Sequence, residues 1–365
     1  MLNRFTRALV ATLLLSPALA LTAEATDLDQ RVKALEEKQS ELYHTLEEKK
    51  SAGLATLLDG HLALSGLIEV EAGYQRSRLR AGGSDEQSDL TLATAQLGLA
   101  AKANDQLGAT LALLYEEADD ARIEVDEATI DLTQGPWQAR VGRQYLPFGV
   151  FRSHFISDPL TLELGETRET ALRGGFHHDH FAIEAFVFNG DAEQDGRDSH
   201  LRDFGASLSL APFKGLELAT SYLSDLADSD SELVGNAFSR RVGAWSTSGV
   251  ATLGPLELSG EYLGALKSFA AADLDANSDG SGDRPQAWNL EAAWYFLENL
   301  ELAARLEGSD QFAGQPKRQY GLGGSWGFYQ NATLAVEYLH GRFDQAFGDG
   351  AKSRDLATIQ LALAF

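Results

Sequence analysis

Between Asp275 and Asp283 the chain reads Asp-Ala-Asn-Ser-Asp-Gly-Ser-Gly-Asp. Asp275, Asn277 and Asp279 supply oxygens at the first, third and fifth positions of a calcium loop, and Gly280 permits the sharp turn at the sixth. Ser281 and Asp283 add further oxygens. The chemistry is Ca2+ binding in an outer loop, as an accessory, with no cofactor required. Gln286 stands where the full motif places a bidentate Glu, so a solvated acidic loop of turn-forming residues is the competing reading. His177, His178 and His180 share one short turn with no carboxylate shell, which suits solvated surface histidines better than a metal centre. Ser153, His154 and Asp158 have the residue types of a hydrolase triad. Neighbours in sequence are not thereby in hydrogen-bond geometry, and no nucleophile elbow is present, so no catalytic residue is expected and the chain does not read as an enzyme.

A larger set of charges surrounds one apolar connection, Leu146 to Thr167. It carries Phe148, Val150, Phe151, Phe155, Ile156, Leu160, Leu162 and Leu164, a surface that would form a large apolar patch if turned to water. Folded inward, the segment sets Arg152 and Arg168 against Asp158, Glu163, Glu166 and Glu169, with Arg143 and Arg173 on the strands at its base. Opposed charges across a narrow aqueous gap create a transverse field that sorts solutes by charge and dipole. These eight residues are the expected pore constriction. A lid over the rim or a subunit contact is the alternative.

The elements that position these groups are strands. In the last stretch, Ala357, Ile359, Leu361, Leu363 and Phe365 alternate with Leu356, Thr358, Gln360, Ala362 and Ala364, so one face is apolar and the other small or polar. That is the two-residue period of a strand with one lipid-facing side, and an aromatic end resembles the insertion signal of bacterial outer-membrane barrels. Sixteen such runs follow one another at 61–74, 89–101, 106–116, 122–132, 137–145, 168–177, 181–189, 201–210, 216–224, 241–252, 256–264, 287–296, 300–307, 318–328, 332–340 and 355–365. Short connections rich in Gly, Pro, Asn or Asp, such as Thr133-Gln-Gly-Pro136 and Leu253-Gly-Pro255, alternate with mostly longer acidic ones. The short set therefore lies on one rim, the periplasmic one, and the long set on the other. Glu69, Glu71, Glu257, Glu261, Glu301, Arg305 and Glu307 fall on inward positions, giving a wet lumen of the kind sixteen strands enclose. The expected fold is an all-β, sixteen-stranded antiparallel transmembrane barrel preceded by a short coiled-coil helix.

Residues 1–25 read as a signal peptide, with a basic start at Arg4 and Arg7, an apolar run from Ala8 to Leu15 and small-residue cleavage sites after Ala20 and Ala25. Residues 26–50 carry Leu28, Val32, Leu35, Gln39, Leu42 and Leu46 at heptad spacing, a coiled coil too short to stand alone and expected to assemble a homotrimer in the periplasm. Residues 51–60 are a connector, and 61–365 form the barrel. Cleavage after Ala20 removes Arg4 and Arg7 and moves the formal charge from −24 to −26. Such acidity argues against nucleic acid and against a pore for anions. The absence of Cys removes thiolate chemistry.

The stretches 141–151 and 153–169, and the loop before Ala287-Trp-Asn-Leu-Glu291, resemble the LbtU-type siderophore porin family. That resemblance implies an outer-membrane barrel passing ferric siderophore complexes, or similar small solutes, into the periplasm without a plug domain. Phosphate-selective porins share the coil-plus-barrel plan, but their basic lumen sets them apart from this acidic chain. The remaining alternatives are a general cation-preferring diffusion porin and a structural anchor tethered through its coiled coil. Outer-membrane lipid is the expected surrounding in each case.

Overall fold

The computed structural model describes residues 61–117, 122–196, 200–235 and 237–365. The expected signal peptide, coiled coil and connector lie outside these residues. Sixteen antiparallel strands close into a barrel: β1 Leu62–Leu79, β2 Ser84–Lys102, β3 Leu107–Tyr115, β4 Ile123–Gln134, β5 Trp137–Tyr145, β6 Arg168–His178, β7 Phe181–Phe188, β8 Asp203–Phe213, β9 Leu216–Leu223, β10 Ala244–Leu253, β11 Leu256–Ala265, β12 Gln286–Leu297, β13 Leu300–Asp310, β14 Arg318–Tyr329, β15 Ala332–Arg342 and β16 Ala351–Ala364. Each pairs with the next, and β16 returns to β1. Short turns and longer connections alternate as expected. One two-residue parallel ladder, Glu193–Gln194 with Ala237–Phe238, ties two of the longer connections together outside the barrel.

Alternation sets the two faces. On β16, Leu356, Thr358, Gln360 and Ala362 are buried, whereas Ile359, Leu361, Leu363 and Phe365 are exposed on the outer face. Two aromatic bands cross that face. One lies toward the short turns, where Trp137 meets Phe176 at 5.0 Å and Trp294 meets Phe296 at 5.1 Å. The other lies toward the long connections, where Trp245 and Tyr262 are 5.3 Å apart and Phe204 and Tyr222 are 6.0 Å apart. Amphipathic rings of this kind settle at the two membrane–water interfaces.

The seam of the barrel depends on one glycine. Gly66 donates to the Phe365 carbonyl at 2.8 Å and accepts from the Phe365 amide at 3.0 Å, while the Phe365 ring lies where a side chain at Gly66 would stand, 2.3 Å from an added Cβ. The largest departure from the expected strand ends is the β1–β2 hairpin, which runs five residues beyond the expected end of β1. Gly82 and Gly83, both at positive φ, allow the tight reversal. An Arg76–Glu86 ion pair at 3.2 Å joins the two strands of the extension.

The packed core is displaced toward the long-connection rim. Phe148, Leu160 and Leu164 from the 146–167 connection meet Leu223, Leu263, Ala287 and Phe269 from the wall and outer loops. An apolar plug inside the mouth is the result, which removes from water the surface that made an outward loop unfavourable.

Candidate functional site

The connection 146–167 turns inward immediately after β5. Gly149 has φ +84° and Phe151 has φ 54°, and the Phe151 ring closes over Gly149. That bend would be strained with a side chain at position 149. The segment then runs along the inside of the wall and ends in a short helix, α1, Leu160–Gly165. Gly165 lies against β11, with an added Cβ falling 2.2 Å from Leu263 Cδ1.

An irregular segment in a lumen must still satisfy its backbone amides. Wall carboxylates do so here. Glu261 on β11 accepts from the amides of Val150 and Phe151 at 2.8 and 2.9 Å and from the Thr161 hydroxyl at 3.2 Å. Glu291 on β12 accepts from the His154 amide at 2.7 Å, and Glu337 on β15 accepts from the amides of Ile156 and Ser157 at 2.9 and 3.0 Å and from the Ser157 hydroxyl. Pro159 caps α1 without a side-chain acceptor, and Glu307 on β13 takes the Leu160 amide at 2.8 Å, placing an anion at the positive end of the helix.

Three cations complete the anchorage. Arg152 binds Glu257 through two nitrogens, at 2.5 and 2.9 Å. The His154 ring lies between Glu257 and Glu301, with each nitrogen 3.0 Å from a carboxylate oxygen. Burial by itself would lower the His154 pKa, but the two carboxylates outweigh it and push the imidazole up to about 9, so the ring is cationic at neutral pH. Arg305 is fully buried: it pairs with Glu291 at 2.8 Å and Glu307 at 3.6 Å, donates to Ser153 Oγ and to the Asp158 carbonyl, and lies 4.4 Å from the centre of the Phe155 ring.

The eight expected constriction residues separate into groups. Arg152, Asp158, Glu163 and Glu166 all lie on the inner segment. Asp158 is buried, with its carbonyl bound by Arg305. Glu163, in the first turn of α1, is within electrostatic reach of Arg354 on β16. Glu166 closes α1, and its carbonyl accepts from Asp230 at 2.8 Å. Arg168 and Glu169 stand at the base, where Arg168 binds Glu124 at 2.9 Å and Asp126 at 2.7 Å, and Glu169 accepts from the Asp191 amide at 3.3 Å. The other two lie elsewhere. Arg143 alternates with fully buried Gln144 and falls, with exposed Val141, on the opposite face of β5. Arg173 pairs with Glu184 on the neighbouring strand, below the segment. Arginines on strands at the base of a loop face the lumen only if their parity matches, and that of Arg143 does not.

Sequence alternation identified Glu257, Glu261, Glu301, Arg305 and Glu307 as inward residues but not as anchors, and it missed Glu291 and Glu337 in that role. The Ser153, His154 and Asp158 set is likewise anchorage: Ser153 Oγ accepts from Arg305 and from the Phe155 amide, and the His154 ring faces carboxylates.

The acids of 275–283 bind their own loop. Asp275 accepts from the amides of Asp279 and Gly280 at 3.0 and 2.9 Å, Asn277 accepts from the Asp279 amide at 3.0 Å, and Asp283 accepts from the Ala276 amide at 2.7 Å. The Ser281 amide and Asn277 hold the Asp279 carboxyl below its usual range. Among the described residues, three carboxylates gather within metal-ligand reach only at Asp203, Asp225 and Asp228, a grouping split between the start of β8 and the connection after β9 that sequence spacing did not reveal.

Residues 67–250 match the family model "Phosphate-selective porin O and P", which covers half of the chain. The chain belongs to that porin family. Setting these porins aside on charge is thereby corrected: the family is defined by the chain's pattern over 67–250, and net acidity does not exclude membership. This porin is 25% identical over 323 residues to a UPF0422 protein of Coxiella burnetii, covering 82% of this chain and 68% of that one. It is 24% identical over 326 residues to UPF0422 protein lpl2888 of Legionella pneumophila, covering 76% of this chain and 58% of the relative's length. In fold it resembles the outer membrane channel DcaP of Acinetobacter baumannii, with a TM-score of 0.62 at 16% identity over 83% of this chain and 97% of that one. It is thus an outer-membrane barrel of a transport family, in agreement with the expectation that it is no enzyme.

Proposed function

We propose that this porin is a general diffusion channel for small solutes, favouring cations, with the 146–167 segment as its constriction. The observation that carries the reading is the interior itself, an inward segment held across a wall rich in carboxylates. Glu69, Glu71, Glu257, Glu261, Glu291, Glu301, Glu307 and Glu337 outnumber the arginines that face them, and a net negative field in a low-dielectric wall concentrates cations and repels anions. Arg152, on the inner segment, has a third of its side chain exposed, although Glu257 neutralises much of its charge. In planar bilayers under a salt gradient, the reversal potential should report cation preference, and Arg152→Glu should move it further in the same direction. An anion-selective wild type would support a phosphate-type solute, in line with the family's name. A silent barrel would support a structural anchor.

Passage of ferric siderophore complexes is the narrower version of this reading. It draws on the resemblance of 141–151 and 153–169, which form the end of β5 and the inner segment, and among the described residues no separate feature favours iron complexes. Calcium at 275–283 gains no support in this reading, because those acids already accept from the amides of their own loop. A homotrimer through residues 26–50 is part of the same proposal. Light scattering on a variant lacking 26–50 should show smaller particles, and an unchanged mass would remove the coil as the assembly device.

A further inference from the structure

Asp203, the first residue of β8, meets Asp225 and Asp228 from the 224–243 connection, and one carboxylate oxygen from each lies within 4.8 Å of the others. Asp225 is fully buried and the other two are 5% exposed. Most of their oxygens are bound. Asp203 Oδ1 takes Arg241 Nη2 at 2.8 Å and the Ser224 hydroxyl at 3.4 Å. Asp225 Oδ1 accepts from the amides of Ala227 and Val242 at 3.1 and 3.4 Å, and its Oδ2 is 3.5 Å from Arg241 Nε. Asp228 Oδ1 accepts from the Ala192 amide at 3.2 Å, but its Oδ2 is buried with no partner.

We infer that these three aspartates bind a hard divalent cation, calcium before magnesium, which ties the start of β8 to the connection that follows β9 at the rim. Three carboxylates and one guanidinium leave a net charge of −2 in a buried site, and one divalent ion cancels it. The spacing suits the ion. Ca2+ holds oxygens at about 2.3–2.6 Å, so ligands on opposite sides of it are about 5 Å apart, whereas the shorter bonds of Mg2+ demand a tighter, regular octahedron. The backbone is moulded to the site as well: a Cβ at Gly190 would fall 2.0 Å from Asp228 Oδ1, so only glycine lets the 189–192 turn close over the carboxylate. The Glu193–Gln194 ladder with Ala237–Phe238 already holds the far part of the connection after β9, and the cation would hold its near part.

The test is titration calorimetry of the chelator-treated, refolded full chain in detergent at pH 7.5 and moderate salt, with CaCl2 and MgCl2 in separate runs. One saturable calcium site at roughly 10⁻⁴–10⁻³ M is expected, with magnesium weaker. Asp228→Asn should weaken it by about tenfold or more, while Asp275→Ala with Asp279→Ala should leave it unchanged. No saturable heat would mean that protons and Arg241 alone settle the cluster, and heat lost only in the Asp275/Asp279 variant would move the site to that loop. Either result overturns the assignment. A measurement on the wild type stands apart from the folding of any variant: calcium should slow protease cleavage within 224–235 several-fold, and unchanged cleavage rates count against the site.

Discussion

Deleting Ser153 to Leu162 should raise single-channel conductance roughly twofold or more, because an ohmic pore is set by its narrowest section and this segment occupies the interior beside β11 to β15. Cation selectivity should rise with it. Glu291, Glu301, Glu307 and Glu337 would lose the amide or imidazole partners that now engage them, and with only Arg305 left to pair Glu291 and Glu307 the wall would turn more negative charge to water. The outer face of the barrel and its β1–β16 seam do not involve the deleted residues, so insertion should be unaffected. Paired bilayer recordings and the heat-modifiable mobility of the folded barrel separate the two effects. Equal conductance from a correctly folded deletion would place the segment outside the conducting path.

Replacing Arg305 with Met should cost about 3–5 kcal/mol, the range for removing one partner of a buried ion pair. The loss arises from several sources: Glu291 and Glu307 lose their buried counter-charge, Ser153 Oγ and the Asp158 carbonyl lose a donor, and Phe155 loses its cation. Much of the cost should fall on the inner segment. The wall strands retain their ladder hydrogen bonds, while the segment loses the one wall cation that reaches both Ser153 and Asp158. Denaturant refolding should report the lower midpoint, and single-channel records should show added noise as the segment detaches. Adding Glu291→Gln to Arg305→Met should recover part of the loss, since the pair is coupled. A variant with the wild-type midpoint and quiet currents would show that the carboxylates hold the segment without the arginine.

The strands were legible because lipid on one side and water on the other impose a strict two-residue period, and Leu256, Leu258 and Tyr262 against Glu257 and Glu261 show it within a few residues. The inward turn of 146–167 was legible for a related reason, since a segment with so many large apolar residues cannot stand in water. What each inward carboxylate meets was not legible. Alternation says that Glu337 points inward, but its partners Ile156 and Ser157 lie some 180 residues earlier, and no local pattern encodes that distance. The same limit hid Asp203, Asp225 and Asp228, which come together because β8 pairs with β9 and brings its first residue beside the connection that follows β9. For Arg143 the sequence gives a place at the base of the segment, whereas the face it takes depends on its parity with Gln144. The phosphate-porin kinship was obscured by net charge, a property of surfaces and loops more than of fold.

The seam at Gly66 and Phe365 also governs how the chain can be made. β1 pairs with β2, which follows it directly, and with β16, from which it is separated by almost the entire described chain. Its free edge therefore stays unpaired until synthesis and delivery are nearly complete, and contacts of such long range form slowly. An open sheet of fifteen strands with an exposed apolar face and two raw edges is a template for aggregation in water. The edge of the first strand is therefore the part of this barrel most in need of cover until the last strand arrives to claim it.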